Sequence, residues 1–316
     1  MPRFSAQIVD YHTSALALHA VRTAVFVDEQ GVPPALERDR ADPHCIHVLA
    51  RDERGAPIGA ARLFPPAPSP TASHGAPADN VSPAARVGRM AVLPQWRGQG
   101  VGEAMLAELS LLADRRDWPE LHLHAQRSAV GFYMRQGFVP AGPVFREAGI
   151  EHQTMHRPLR GPMAIRTLDA AIAVTTALAH QARRSLQVRT QTLDPGLLDD
   201  ARVLDALRRL AVRRAGIEIR ILMHDASNAA RIPPLVALAQ RLPSAVQLRQ
   251  LEDPTDLSDA SACTVSDRGW FVRPHGHLAQ GEAHLDAPDR ARHHAVIFGR
   301  MWERARPCTE LRTLAI

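Results

Sequence analysis

One segment, from Val87 to Leu112, restricts the choice of fold more than any other. A short apolar run, Val87 to Leu93, reads as a strand. It leads through Pro94-Gln95-Trp96-Arg97 into glycines at alternate positions, Gly98, Gly100 and Gly102. Val101, Met105, Leu109 and Leu112 follow at helical spacing. A strand that passes through a glycine loop into an amphipathic helix belongs to a layered α/β architecture. The same unit suits an anion. The first N–H groups of a helix lack internal partners and sit at the positive end of its dipole. Glycines let several of them converge on one phosphate, and Arg97 can add charge. The alternate spacing is not the Gly-x-Gly-x-x-Gly of a dinucleotide-binding turn.

Composition narrows the chemistry. All 38 basic residues are arginine and none is lysine. A nucleotide P-loop, a Schiff-base lysine and a His-x-Lys phosphodiesterase motif are therefore excluded. Three scattered cysteines, Cys45, Cys263 and Cys308, suit neither a disulfide framework nor a cysteine zinc site. No apolar stretch reaches 18 residues, and Met1 to Gln7 lacks a signal core, so we expect no membrane span and a cytoplasmic protein. The net charge of +5 permits contact with nucleic acid without arguing for it.

A length of 316 residues implies two domains, set at 1–160 and 161–316. In the first, helical spacing covers about 13–27. A strand pair lies at 47–50 and 58–63, a strand at 121–126, and a short helix over 129–136 ends at Gly137. Pro65 to Pro83 reads as a surface loop, and 156–166 as the linker. The second half alternates again. Helices are expected at 169–184, 199–215, 229–241 and 288–305, and strands at 186–190, 217–223 and 246–249. A hairpin joins 263–265 to 270–272.

The segment Arg97-Gly98-Gln99-Gly100-Val101-Gly102 resembles motif A of the GNAT superfamily of acyl-CoA N-acyltransferases. The block Ala129-Val130-Gly131-Phe132-Tyr133-Met134-Arg135-Gln136-Gly137-Phe138 resembles its motif B. Three more stretches resemble the ElaA-like branch: Arg22 to Gln30, Asp39 to Val48, and Glu147 to Met155. The resemblance covers about residues 7–158. It implies an α+β fold with a mixed central sheet, and acetyl-CoA as co-substrate. It further implies that the amides of Arg97, Gly98, Gln99, Gly100, Val101 and Gly102 take the diphosphate. Met90, Ala91 and Val92 would pair with the pantetheine as an added strand. Gln126, Ala129 and Phe132 stand with the cofactor-binding residues.

Acyl transfer from a thioester to an amine needs a neutral amine, a held oxyanion and a protonated leaving thiol. No cysteine lies in the motif A or motif B block, so direct attack in a ternary complex is expected. An N–H of the Met90–Val92 strand would hold the thioester oxygen. The resemblance makes Tyr133 the acid, against the alternative of a packed helix residue. Glu29 is the first candidate base, acting directly or through water; the alternative is a surface carboxylate. His124, which shares a strand face with His122 and Gln126, is the second; the alternative is a satisfied sheet histidine. Glu147 and His152 are candidates to line the acceptor site. Arg22 and Asp42 are read as a structural ion pair. The acceptor, a small-molecule or peptide amine, stays open.

The second half is weakly similar to one half of a phospholipase D-type fold, at Gly216 to Asp225, Val265 to Arg273 and Phe298 to Glu303. With no lysine it is expected to be catalytically silent and to bind a partner or a second copy. The other reading is a CoA-sensing protein whose second half docks on nucleic acid or protein. His275 and His277 lack a third ligand at matching spacing, so no metal is expected. Arg208, Arg209, Arg213 and Arg214 are read as a solvated helix face.

Overall fold

Asp10 starts the first helix. In the computed structural model, which describes residues 4–66, 84–213, 216–226, 233–257, 259–308 and 311, its carboxylate accepts from the Thr13 N–H at 3.0 Å. This caps Tyr11–Arg22 (α1) and satisfies an end-group donor. Leu18 and Val21 turn inward with Val25 against Leu49, Ala60 and Ala91. The expected helix of 13–27 is not uniform. After Arg22 the backbone passes into a π-helical stretch, Thr23–Glu29, which shifts the side-chain phase. Val32 N–H then donates to Phe26 O at 2.8 Å and closes the turn. A short helix, Pro34–Glu37 (α2), follows.

The sheet beside α1 is built from Phe4–Val9 (β1), Ile46–Asp52 (β2), Pro57–Phe64 (β3), Ala85–Val92 (β4), Glu120–Gln126 (β5), Val139–Glu147 (β6) and Ile150–Pro158 (β7). Its order is β1-β2-β3-β4-β5-β7-β6. The strand pair expected at 47–50 and 58–63 is present and longer, whereas β1 and the β6–β7 pair were not expected. Val101–Arg115 (α3) buries Val101, Met105, Leu106, Leu109 and Ala113. Gly59 lets α3 sit close to β3: a Cβ there would meet Val101 Cγ1 and Met105 Sδ at 3.0 Å each. Most of the expected 65–83 loop, residues 67–83, lies outside the described residues.

The linker expected at 156–166 is much shorter. Pro158 still belongs to β7, and Met163–Ile165 (β8) is already an edge strand, antiparallel to Gly281–His284 (β14). Pro158 is the last residue of β7 and Pro162 precedes the edge strand β8, so neither removes a donor from the interior of a ladder.

The chain forms two compact units. One holds Met1–Ser128 and Ala141–Arg160; the other holds Ala129–Pro140 and Gly161–Ile316. The expected boundary at 160/161 is thus one crossing among others. The second unit contains Val130–Arg135 (α4), which packs on Leu168–Gln181 (α5). Every residue of α5 from Ala170 to Ala179 is buried, so this alanine-rich helix is core throughout.

The remaining strands are Ser185–Thr190 (β9), Glu218–Met223 (β10), Val246–Gln250 (β11), Ala262–Ser266 (β12), Trp270–Arg273 (β13) and Arg306–Pro307 (β15). Among the described residues the sheet order is β15-β11-β10-β9-β12-β13-β14-β8. β9, β10 and β11 run parallel, joined through Ala201–Arg213 (α6) and Pro233–Arg241 (α7). Residues 229–232 of the helix expected at 229–241 lie outside the described residues. Pro288–Arg304 (α9) buries Phe298, Met301 and Trp302. Arg273 pairs with Asp194 in the interior of this unit. Among the described residues no helix is long and apolar enough to cross a membrane.

Candidate active site

Strand β4 is paired on both sides along only part of its length. It meets β5 in parallel at Ala85, Val87 and the residue between them, opposite Leu121–Leu123. It continues with β3 as far as Val92. An irregularity in that ladder falls at Arg89, whose φ is +50°. An extra residue of this kind bends a strand and breaks its pairing. Among the described residues, therefore, β4 has one strand neighbour from Gly88 to Val92 and an open edge that includes Met90, Ala91 and Val92. Arg89 is tied down: its guanidinium donates to Leu36 O at 2.7 Å, Glu37 O at 3.2 Å and Asp39 Oδ2 at 3.2 Å.

The glycine loop follows. Gly98 and Gly100 have φ of +71° and +89°, in the left-handed region that side chains rarely adopt. A Cβ at Gly98 would meet nothing within 4 Å, so backbone conformation rather than crowding calls for glycine there. Helix α3 starts at Val101 without a side-chain cap. Its first N–H groups, at Val101, Gly102 and Glu103, have no acceptor four residues back. Gln99 does not cap them, since its amide donates to Gln95 O at 2.7 Å. Uncapped donors at the positive end of a fifteen-residue helix, beside open space, fit a diphosphate.

Arg97 and Glu29 face each other. Nη1 donates to Oε1 at 2.8 Å, Nη2 to Oε2 at 2.6 Å, and Nε to Val92 O at 3.0 Å. The Arg97 hydrogen bonds hold the Glu29 carboxyl below its ordinary range. The side chains are 44% and 39% exposed. The two groups predicted separately, one for phosphate and one as base, are thus engaged with each other.

On β5, His122, His124 and Gln126 alternate with buried Leu121, Leu123 and Ala125. Opposite them on β7 stand His156, Thr154 and His152, and directly opposed residues share a face. His124 Nδ1 lies 3.4 Å from Glu147 Oε2. The His124 ring meets the edge of Phe145 at 4.9 Å, and Phe145 stacks on His152 at 5.9 Å. Burial, then Arg86 and His124, hold His122 below the ordinary imidazole range. Gln126 Nε2 donates to Gln30 Oε1 at 2.8 Å, bringing the end of the π-helical stretch to this face. Gln30, Phe145 and Arg89 were missed by sequence reading. The alternation of Phe145 and Glu147 along β6 was the available signal for Phe145.

Tyr133 lies in the other unit, on α4, with Phe132 beside it and Ala129 at the helix N-cap. It is 7% exposed and packs edge-on against Phe132 and Phe138. Burial pushes its phenol above the ordinary value, so it stays protonated. Gly137, φ +84°, ends the helix as expected, and its N–H donates to Met134 O at 3.0 Å.

Arg22 pairs with Asp42 as read from the sequence, within a larger network. Arg22 also binds Glu37, and Arg62 binds Asp39 and Asp42. In the second unit Arg208 and Arg209 are exposed, and Arg209 pairs with Asp205 at 2.8 Å. The side chains of Arg213 and Arg214 lie outside the described residues. His275 and His277 are 6.1 Å apart, ring to ring. Among the described residues no three His, Cys, Asp or Glu side chains are grouped to hold a metal ion.

Comparison with known proteins finds matches to each half of the chain. Residues 24–159 match the acetyltransferase (GNAT) domain family. ElaA of Escherichia coli (strain K12) is 30% identical over 159 residues, which cover 47% of this chain and 94% of that protein. The uncharacterized N-acetyltransferase YjcF of Bacillus subtilis (strain 168) is 31% identical over 136 residues, covering 43% and 86%. A crystal structure of an acyl-CoA N-acyltransferase from Pseudomonas aeruginosa is 26% identical, with a TM-score of 0.40, over 49% of this chain and 99% of that one. Residues 167–314 match a domain of unknown function (DUF7931). The phospholipase D-type resemblance read into the second half finds no support in these matches.

Proposed function

Because the chain belongs, through its first half, to the GNAT acetyltransferase family, we propose that it transfers an acetyl group from acetyl-CoA to the nitrogen of a small-molecule or peptide amine by direct attack. The observation that carries this reading is the open edge of β4 running into an uncapped helix through left-handed glycines. Acetyl-CoA, when bound, supplies the activated thioester. The amides from Gly98 to Gly102, with Arg97, hold its diphosphate. The edge at Met90, Ala91 and Val92 hydrogen-bonds the pantetheine, and one of its N–H groups holds the thioester oxygen. Gln126, Ala129 and Phe132 complete the cofactor contacts.

As the amine nitrogen bonds to the acyl carbon and the carbon–sulfur bond breaks, one proton leaves nitrogen and one must reach sulfur. His124 takes the first, with the Glu147 carboxylate beside it to stabilise the imidazolium. Tyr133 gives the second, the role that its place in the motif B block implies; burial raises its phenol and keeps it protonated. Glu29 fits the base role less well, because a carboxylate is a weaker proton acceptor near neutral pH than an imidazole.

The test is thiol release from acetyl-CoA across a panel of amines, with wild type and Tyr133→Phe side by side. A fall of about 10²-fold or more is expected on losing a general acid. Equal turnover would remove Tyr133 from the mechanism. Coenzyme A titrated against Gly100→Glu tests the cradle, and equal affinity would overturn the phosphate assignment. The second half is proposed to bind a partner or a second copy and to take no part in the chemistry.

A further inference from the structure

Arg97 stands where two anions could claim it. In the structure its guanidinium holds Glu29 through two parallel hydrogen bonds and covers the Val92 carbonyl, at the end of the open β4 edge. The next residue, Gly98, begins the loop of uncapped donors. Resting on the reading that this loop takes a diphosphate, we infer that Arg97 exchanges partners: it holds Glu29 in the free protein and a diphosphate oxygen once acyl-CoA is bound. The exchange frees the Glu29 carboxylate to receive the acceptor in its ammonium form, which gives one proton to solvent before the neutral nitrogen attacks. Glu29 is then a docking group for a cationic amine, presented only after the cofactor is seated.

The relative strengths favour the exchange. The Arg97–Glu29 pair is largely solvated on both sides. Exposed pairs contribute roughly 0.2–1 kcal/mol, and a two-pronged arginine–carboxylate pair such as this one stands at the upper end of that range. A diphosphate carries more charge, accepts the same forked pair of N–H donors, and would be held at the same time by backbone amides. Glu29 ends the π-helical stretch, and its side chain is held by no hydrogen-bond partner other than Arg97 among the described residues. Nothing else needs to break for it to turn away. Gln30, the next residue, already reaches the His124 face through Gln126. A carboxylate released at Glu29 therefore adjoins the strand face that carries the proposed base.

The experiment is calorimetric titration of the full chain with coenzyme A and, separately, with pantetheine, which has no phosphate. If Glu29 competes for Arg97, Glu29→Gln binds coenzyme A about two- to fivefold more tightly than wild type, the span expected for losing one exposed ion pair. Pantetheine affinity stays unchanged. Arg97→Gln weakens coenzyme A and abolishes the gain when combined with Glu29→Gln. In steady-state assays Glu29→Gln raises KM for the amine at least threefold while KM for acetyl-CoA falls. Coenzyme A affinity that is unchanged or weaker in Glu29→Gln, with normal binding by wild type, overturns the exchange and leaves the cradle standing. No coenzyme A binding by wild type would instead sink the acetyltransferase reading. Circular dichroism of each variant checks that the fold is intact.

Discussion

Arg22 grips both carboxylate oxygens of Asp42, at 2.9 and 3.0 Å, in a place where each side chain keeps 1% of its surface exposed. The same Asp42 also accepts from Arg62 at 2.6 Å. Asp42→Asn thus leaves two buried guanidinium groups short of charge. Breaking a buried pair by removing one partner costs about 3–5 kcal/mol. Urea unfolding should show a loss in that range for Asp42→Asn and for Arg22→Met. A loss below about 1 kcal/mol would mean that the network relaxes or admits water.

The network also sets an acid limit. Hydrogen bonds from Arg62 hold Asp39 down at about 2, against an ordinary value of 3.8, although burial works the other way. For Asp42 burial opposes the charge, yet the Arg22 and Arg62 hydrogen bonds outweigh it and lower its value too. A depressed folded value contributes stability above the unfolded value and loses it as pH falls. Stability should therefore drop between about pH 4 and pH 2, less steeply in Asp39→Asn than in wild type. Parallel pH curves for the two proteins would contradict the assignment.

Two glycines should respond differently to alanine. At Gly98 a methyl group meets nothing, and only the left-handed backbone objects. Gly98→Ala should lose about 1 kcal/mol of stability and weaken coenzyme A. At Gly281 a Cβ would fall 2.2 Å from the Val272 carbonyl in the neighbouring strand. Gly281→Ala should cost about 1–3 kcal/mol or more, because backbone must move. Thermal melts of the pair would separate strain from crowding, and equal shifts would refute the distinction.

If His124 is the base, its loss should appear in turnover rather than in cofactor binding. His124→Gln is expected to lower kcat about 10²–10⁴-fold with coenzyme A affinity unchanged. Glu147→Gln should give a smaller fall, since it touches only His124. A His124→Gln enzyme at full speed would return Glu29 to consideration as base.

Local signals were legible where chemistry and spacing coincide. The strand, glycine loop and helix from 85 to 115, the alternating β5 and the Gly137 helix end all stand in the structure near the positions read from residues alone. Elements without that coincidence were not. Strand β6 is exposed along most of its length and carries Pro140, Gly142 and Pro143, so it looks like a loop. Strand β1 is an edge strand with mixed exposure. The π-helical stretch leaves no mark in periodicity until its hydrogen bonds are seen. The candidate site can be read from the sequence as a set of residues to test and not as an arrangement. Nothing in the sequence says that Arg97 meets Glu29 across 68 positions, or that Arg89 adopts a left-handed backbone where β4 parts from β5.

The path of the chain has a consequence for its dissection. Helix α4 belongs to the same compact unit as α5 and packs on it, so a cut after residue 160 would strip the helix that carries Tyr133 of a neighbour. A fragment meant to keep that helix covered has to retain α5 as well.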